Sequence, residues 1–169
     1  MSNTNYDLTD PASRLPVDNS QPSLPNSMSG LIERAIADAR SLDPSLYHPK
    51  SRQWHAKPLV GPCEICLAGS VIAETFKAPA DRQRFPWFFG IDVVNKLHAL
   101  DSMRCGCWNH AFYIIYGFRP TAEIDQRLYA LGHPSHADFE GWDEFRTHLD
   151  SLESILPTLR EIEAAAFSS

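Results

Sequence analysis

Gly61-Pro62-Cys63-Glu64-Ile65-Cys66-Leu67-Ala68-Gly69-Ser70-Val71-Ile72-Ala73-Glu74-Thr75-Phe76 is the stretch on which the reading of the chain turns. Pro62 suits the first turn of a helix, where its fixed φ is already helical and its missing N–H is not needed. Ile65, Ala68, Gly69, Ile72 and Phe76 recur at helical spacing, with Cys63, Cys66, Leu67 and Ser70 on roughly the opposite side. A helix with little charge on either side is buried on both. Ala68-Gly69-Ser70 leaves room for another backbone to come close. The stretch therefore reads as the central helix of a small bundle, running from Pro62 to about Phe76.

Outward from it, further helices follow from apolar stripes. Leu31, Ile32, Ala35, Ile36 and Ala39 line one, with Ser29 as its expected N-cap and Asp43-Pro44 beyond its end. Ile91 to Arg104 is a second, with Asp92 in its first turn, where a negative charge suits the helix dipole. Cys105-Gly106-Cys107 interrupts the pattern. Trp108, Ala111, Phe112, Ile115 and Tyr116 form a third helix, closed by Gly117, although Phe-Tyr-Ile-Ile-Tyr also has strand character. Thr121 caps a fourth that Gly132 and Pro134 stop. Phe139, Trp142, Phe145, Leu149 and Leu152 mark a fifth, and Pro157 predicts a kink or a restart near Ser154. Tyr47 to Val60, with Pro49 and Pro58, reads as loop. The expected fold is all-α, a globular bundle of six or seven helices forming one domain over 29–169.

Residues 1–28 carry Pro11, Pro16, Pro22 and Pro25 among Ser, Asn and Asp. With few apolar groups to offset the entropy of ordering them, they are expected to form a disordered tail. The net charge of −6 argues against general binding of nucleic acid. The basic groupings Lys50/Arg52/Lys57 and Arg82/Arg84 are too sparse to reverse it. The apolar runs are too short to span a bilayer, and no signal-peptide pattern opens the chain, so a cytoplasmic protein is expected.

All four cysteines fall in two close pairs, Cys63-x-x-Cys66 and Cys105-x-Cys107. In a reducing compartment such thiols are free or bind metal rather than forming disulfides. Four thiolates in two pairs suit a tetrahedral zinc site. Residues i and i+2 of a helix diverge by roughly 200°, so the second pair could join only if Gly106 breaks the helix. Buried thiols that serve as small hydrophobes are the competing and favoured reading, leaving no cofactor expected and zinc as the alternative. Pro62-Cys63-x-x-Cys66 matches half of the zinc-deaminase signature, but His55-Ala56-Lys57 has lysine where the glutamate must stand. A thioredoxin-like site would need a βαβ pattern that is not apparent. A cysteine nucleophile at Cys63, favoured by a helix N-terminus, would still need a histidine base. No phosphate-cradling loop or nucleophile elbow is present.

Phe85, Trp87, Phe88 and Phe89 form an aromatic cluster near Pro79 and Pro86. Such a cluster either covers the core or anchors a partner, since Trp and Phe are enriched as interface anchors. Cys63 to Ala73, then Leu97-His98-Ala99-Leu100-Asp101-Ser102-Met103-Arg104-Cys105-Gly106 and an aromatic helix, resemble small uncharacterised proteins of tailed phages and prophages over roughly 54–117. The distinctive part is C-x-x-C-L-A-G-S; the Cys105-x-Cys107 pair is not part of the likeness. The resemblance implies a phage-encoded accessory protein that binds or inhibits a host factor, and it brings no activity with it. The expectation is a non-enzymatic protein whose partner meets Phe85, Trp87, Phe88 and Phe89. The alternative is a cysteine- or zinc-dependent enzyme centred on Cys63 and Cys66.

Overall fold

The computed structural model describes residues 22–52, 54–56, 61–73 and 89–168. Among them run α1 (Met28–Arg40), β1 (Tyr47–Pro49), β2 (His55–Ala56), β3 (Cys63–Ile65), α2 (Leu67–Ser70), α3 (Ile91–Arg104), α4 (Trp108–Tyr116), α5 (Ala122–Ala130) and α6 (Trp142–Phe167). The fold is mostly helical, as expected, with one small sheet that the sequence reading lacks.

That sheet lies in the stretch on which the expectation was built. Cys63–Ile65 is not the first turn of a helix but the middle strand of three, in the order β1-β3-β2. It pairs parallel with β1, Tyr47 opposite Cys63 and Pro49 opposite Ile65, and antiparallel with β2, His55 opposite Ile65. Cys63 and Ile65 are buried and Glu64 is half-buried, which is the alternation of a strand. A helix buried on both faces accommodates Cys63 and Ile65 as well as a strand buried on one, so Pro62 tips the reading the wrong way. The helix begins only at Leu67 and, as helix, ends at Ser70. Glu74 to Phe76, the expected end of the central helix, lie outside the described residues.

The long helices follow the sequence closely. Ser27, rather than Ser29, caps α1 by accepting from the Gly30 N–H at 3.1 Å. The next orphan donors of that turn are met from afar: Met28 N donates to Tyr116 Oη at 3.1 Å and Ser29 N to Glu163 Oε1 at 3.2 Å. Gly117 ends α4 at φ +79°, a conformation glycine adopts without strain. Thr121 caps α5.

Helix α6 runs for 26 residues through Pro157, with no restart near Ser154. Pro157 and Glu153 both face solvent, so water can satisfy the carbonyl that loses its N–H partner. Ser154 instead hydrogen-bonds back to Ser151 O at 2.6 Å.

Helices α1, α3, α4, α5 and α6 enclose the main core around Trp108, Phe112, Phe145 and Leu152. A smaller cluster of Leu42, Tyr47, Cys63, Ile65 and Ala73 lies against the sheet. Trp142 packs on both and donates from Nε1 to Tyr47 O at 3.1 Å.

The domain also begins earlier than expected. Leu24 and Met28 are buried in the main core, and Lys96, only 5% exposed, reaches back to hold this segment. Its three donors meet Leu24 O at 3.0 Å, Asn26 Oδ1 at 2.7 Å and Asp92 Oδ2 at 2.9 Å. Residues 24–28 are thus part of the fold, and the remainder of the expected tail, 1–21, lies outside the described residues. Lys96→Met should lower stability by about 2 kcal/mol, because the buried Leu24 carbonyl and the side chain of Asn26 both lose their donor. Asp92→Asn should cost less than about 1 kcal/mol, because the Asp92 carboxylate is itself exposed to solvent. Urea unfolding of the two variants checks the order.

Candidate functional site

The four cysteines do not converge. Cys63 points into the small cluster beside the sheet, and Cys66, the residue capping α2, is fully buried in the main core. Burial pushes the Cys66 thiol up to about 12, with the nearby Asp101 carboxylate adding to the effect. A thiol so buried and protonated is a poor nucleophile. The dipole argument for Cys63 also fails, since Cys63 lies in a strand ahead of the helix.

Cys105 and Cys107 lie in the turn between α3 and α4, half-buried and exposed respectively. Gly106, at φ +86°, does break the helix there, but the break brings these two sulfurs to each other, 3.2 Å apart. Among the described residues no group of three or more His, Cys, Asp and Glu side chains is placed to hold a metal ion. The expected four-thiolate site at Cys63, Cys66, Cys105 and Cys107 is therefore not assembled.

Of the aromatic cluster, Phe85, Trp87 and Phe88 lie outside the described residues. Phe89 belongs to the core, at 9% exposed, so its ring is not free for a partner. Exposed rings gather elsewhere. Around the buried Phe112, Phe118 stands edge-on at 5.5 Å and Phe167 lies parallel at 6.1 Å. Tyr116 meets Phe167 at 4.8 Å. Phe118 and Phe167 remain 48% and 51% exposed, and Tyr113 on the same helix 51%. The sequence carried a signal for this surface. Phe118 directly follows the Gly117 helix stop, and Phe167 stands alone among small residues at the end of α6.

A cleft of about 490 Å³ opens along α3. Asn95, His98, Asp101, Ser102 and Cys105 line one wall, His110 and Ile114 of α4 the other. The spacing of the first five puts them on one helical face. Asp101 Oδ2 accepts from Trp54 Nε1, whose ring meets His98 edge-on at 5.0 Å. Burial raises the Asp101 pKa, against the Trp54 hydrogen bond and the charges of Arg104 and His98. Its Oδ1 is buried with no partner among the described residues. Cys105 directs its thiol to Ser102 O and to Cys107, not to a histidine. Among the described residues no hydrogen bond joins Ser102 or Cys105 to His98 or His110, so no nucleophile–base pair is formed.

Two of the basic residues weighed as a patch are occupied by acids. Lys50 Nζ lies 3.5 Å from Glu64 and 3.9 Å from Glu140, and Arg52 lies 3.3 Å from Asp138. No described helix is long and apolar enough to cross a membrane. Comparison of the chain with protein-family models, curated proteins and solved structures gives no match.

Proposed function

We propose that the chain is a non-enzymatic accessory protein of phage type that binds or inhibits a host protein in the host cytoplasm through an aromatic surface. The observation that carries this reading is the half-exposed pair Phe118 and Phe167, seated on buried Phe112. Aromatic anchors held by packing present apolar area at little entropic cost, and such residues dominate binding energy at interfaces. The rival enzyme centre loses support, because the thiol of Cys66 is buried and held protonated.

A pull-down of the full chain from host lysate, followed by titration with the captured protein, tests the proposal. Phe118→Ser with Phe167→Ser should weaken binding by about 30-fold or more, roughly 2 kcal/mol for the loss of a central anchor, while the melting temperature changes little. Trp87→Ser with Phe88→Ser asks whether the other aromatic stretch contributes. If no protein is retained, while Cys63→Ala abolishes a measurable turnover, the enzyme reading replaces this one.

A further inference from the structure

The Cys105-Gly106-Cys107 turn has no part in the binding surface, and its geometry is unusual for two adjacent thiols. Gly106 takes φ +86°, and a β-carbon there would stand 2.5 Å from His133 Nδ1 and 3.0 Å from Gly132 O. The turn is clamped from the far side: His133 Nδ1 bonds Cys105 O at 2.8 Å, and Trp108 Nε1 donates to Gly132 O at 2.7 Å. Held in this way, the two side chains emerge on the same side with sulfurs 3.2 Å apart, and Cys107 is open to solvent. A disulfide needs about 2.05 Å, so the sulfurs have about 1.2 Å to travel, which side-chain rotation can supply.

We propose that Cys105 and Cys107 form a surface thiol–disulfide exchange site that reacts reversibly with small disulfides of the glutathione class. Cys107, the exposed member, loses its proton and attacks one sulfur of the incoming disulfide. The Cys107–sulfur bond forms, the original S–S bond breaks, and the first thiolate leaves with the electron pair and takes up a proton. Cys105 then loses its proton and attacks Cys107 Sγ, closing the protein disulfide and releasing the second thiolate. The protein dithiol is oxidised by two electrons, and the small disulfide is reduced to two thiols.

The loop closed by the new bond is minimal, so oxidation gains little from chain entropy. Exposed or strained disulfides of this sort are readily reduced again, which makes the exchange reversible. The neighbouring Cys105 thiol and partial burial hold the Cys107 pKa above that of an ordinary thiol. The resting form at neutral pH is therefore the dithiol, and the first attack should quicken as pH rises.

The test uses the full reduced chain in mixtures of reduced and oxidised glutathione, quenched with acid, alkylated under denaturing conditions and weighed intact. Two of the four thiols should be lost to alkylation in oxidising mixtures, map to a Cys105–Cys107 link, carry no retained glutathionyl group, and return on shifting to reduced glutathione. Cys105→Ser should instead accumulate a glutathionyl group on Cys107, because the resolving thiol is gone. Three results would overturn the proposal: a glutathionyl group kept on Cys107 of the unaltered chain, oxidation of Cys63 and Cys66 under the same mixtures, or no loss of thiols at any ratio.

Discussion

Gly69→Ala is expected to cost at least about 3 kcal/mol, a large share of what holds a domain of this size together. A β-carbon at Gly69 would fall 1.5 Å from Trp54 O and 2.6 Å from Trp54 C, with Ile65 Cγ1 at 2.9 Å. Two of these atoms are backbone, so no flexible side chain can swing aside. Relief requires the segment at Trp54 to move away from α2. That segment leads into β2 and carries the indole that hydrogen-bonds Asp101 and meets His98. The damage should therefore reach both the sheet and the cleft along α3. Gly61 is the natural control: its φ of +100° strains an alanine, but nothing lies within 4 Å of the added carbon. Gly61→Ala should cost about 1 kcal/mol. Thermal unfolding separates the two, with a fall of roughly 10 °C for Gly69→Ala and a few degrees for the control. Equal small shifts would show that the Trp54 backbone does not pack on α2.

The Gly69 contact was legible in the sequence even though the element around it was misread. Small residues at Ala68-Gly69-Ser70 announce close backbone approach whichever element contributes the neighbour. What the sequence did not show was a three-residue strand, because a helix buried on both faces would also bury Cys63 and Ile65, and partners in β1 and β2 lie too far along the chain to signal locally. The same non-local cause hid the packing of residues 24–28. Their order comes in part from one buried cation on α3 gathering acceptors from a distant segment, not from a local apolar stripe. The restart expected at Pro157 is absent for a different reason. The proline's cost depends on whether the orphaned carbonyl meets water, and the answer lies in the orientation of α6 and not in the residue.

The cleft was half legible. Reading α3 for its apolar side drew attention away from Asn95, His98, Asp101, Ser102 and Cys105, which recur on one helical face as regularly as the apolar set. Side-chain polarity alone is a poor guide along this helix: Ile91 is 75% exposed, while Lys96 is as buried as Val93. The cysteine pairs were visible from the outset, and Gly106 was recognised as the residue on which their geometry depends. No spacing rule could say that its turn would join Cys105 to Cys107 while Cys63 and Cys66 went separately into two different hydrophobic clusters.

The strongest pH dependence is expected at His148, which is fully buried in α6. Its Nδ1 bonds Ser135 O at 2.9 Å, so Nδ1 carries the proton and donates. Its ring lies 5.3 Å from Phe139, and Nε2 is buried with no partner among the described residues. A second proton would have to sit on Nε2 facing no acceptor. Burial, helped by the positive charges of Arg104 and His136 and opposed by the Ser135 hydrogen bond, pushes the pKa down to about 4. In the unfolded chain the same imidazole takes its proton near pH 6.5. Between these values the unfolded state binds more protons than the folded state, so stability falls as pH falls. The loss begins near pH 6.5, steepens toward about 1.4 kcal/mol per pH unit, and reaches about 3 kcal/mol once pH passes below 4. Asp101 acts in the opposite sense, since its raised pKa favours the folded state as pH drops toward the carboxylate range. Comparing unfolding free energies of the unaltered chain and His148→Gln across pH 4 to 7 isolates the histidine, because Asp101 contributes to both. The variant should start lower at pH 7 and lose much less on acidification. Parallel curves would mean that His148 takes up its proton in the folded state as readily as in the unfolded one, and that the ring is not sealed in the core.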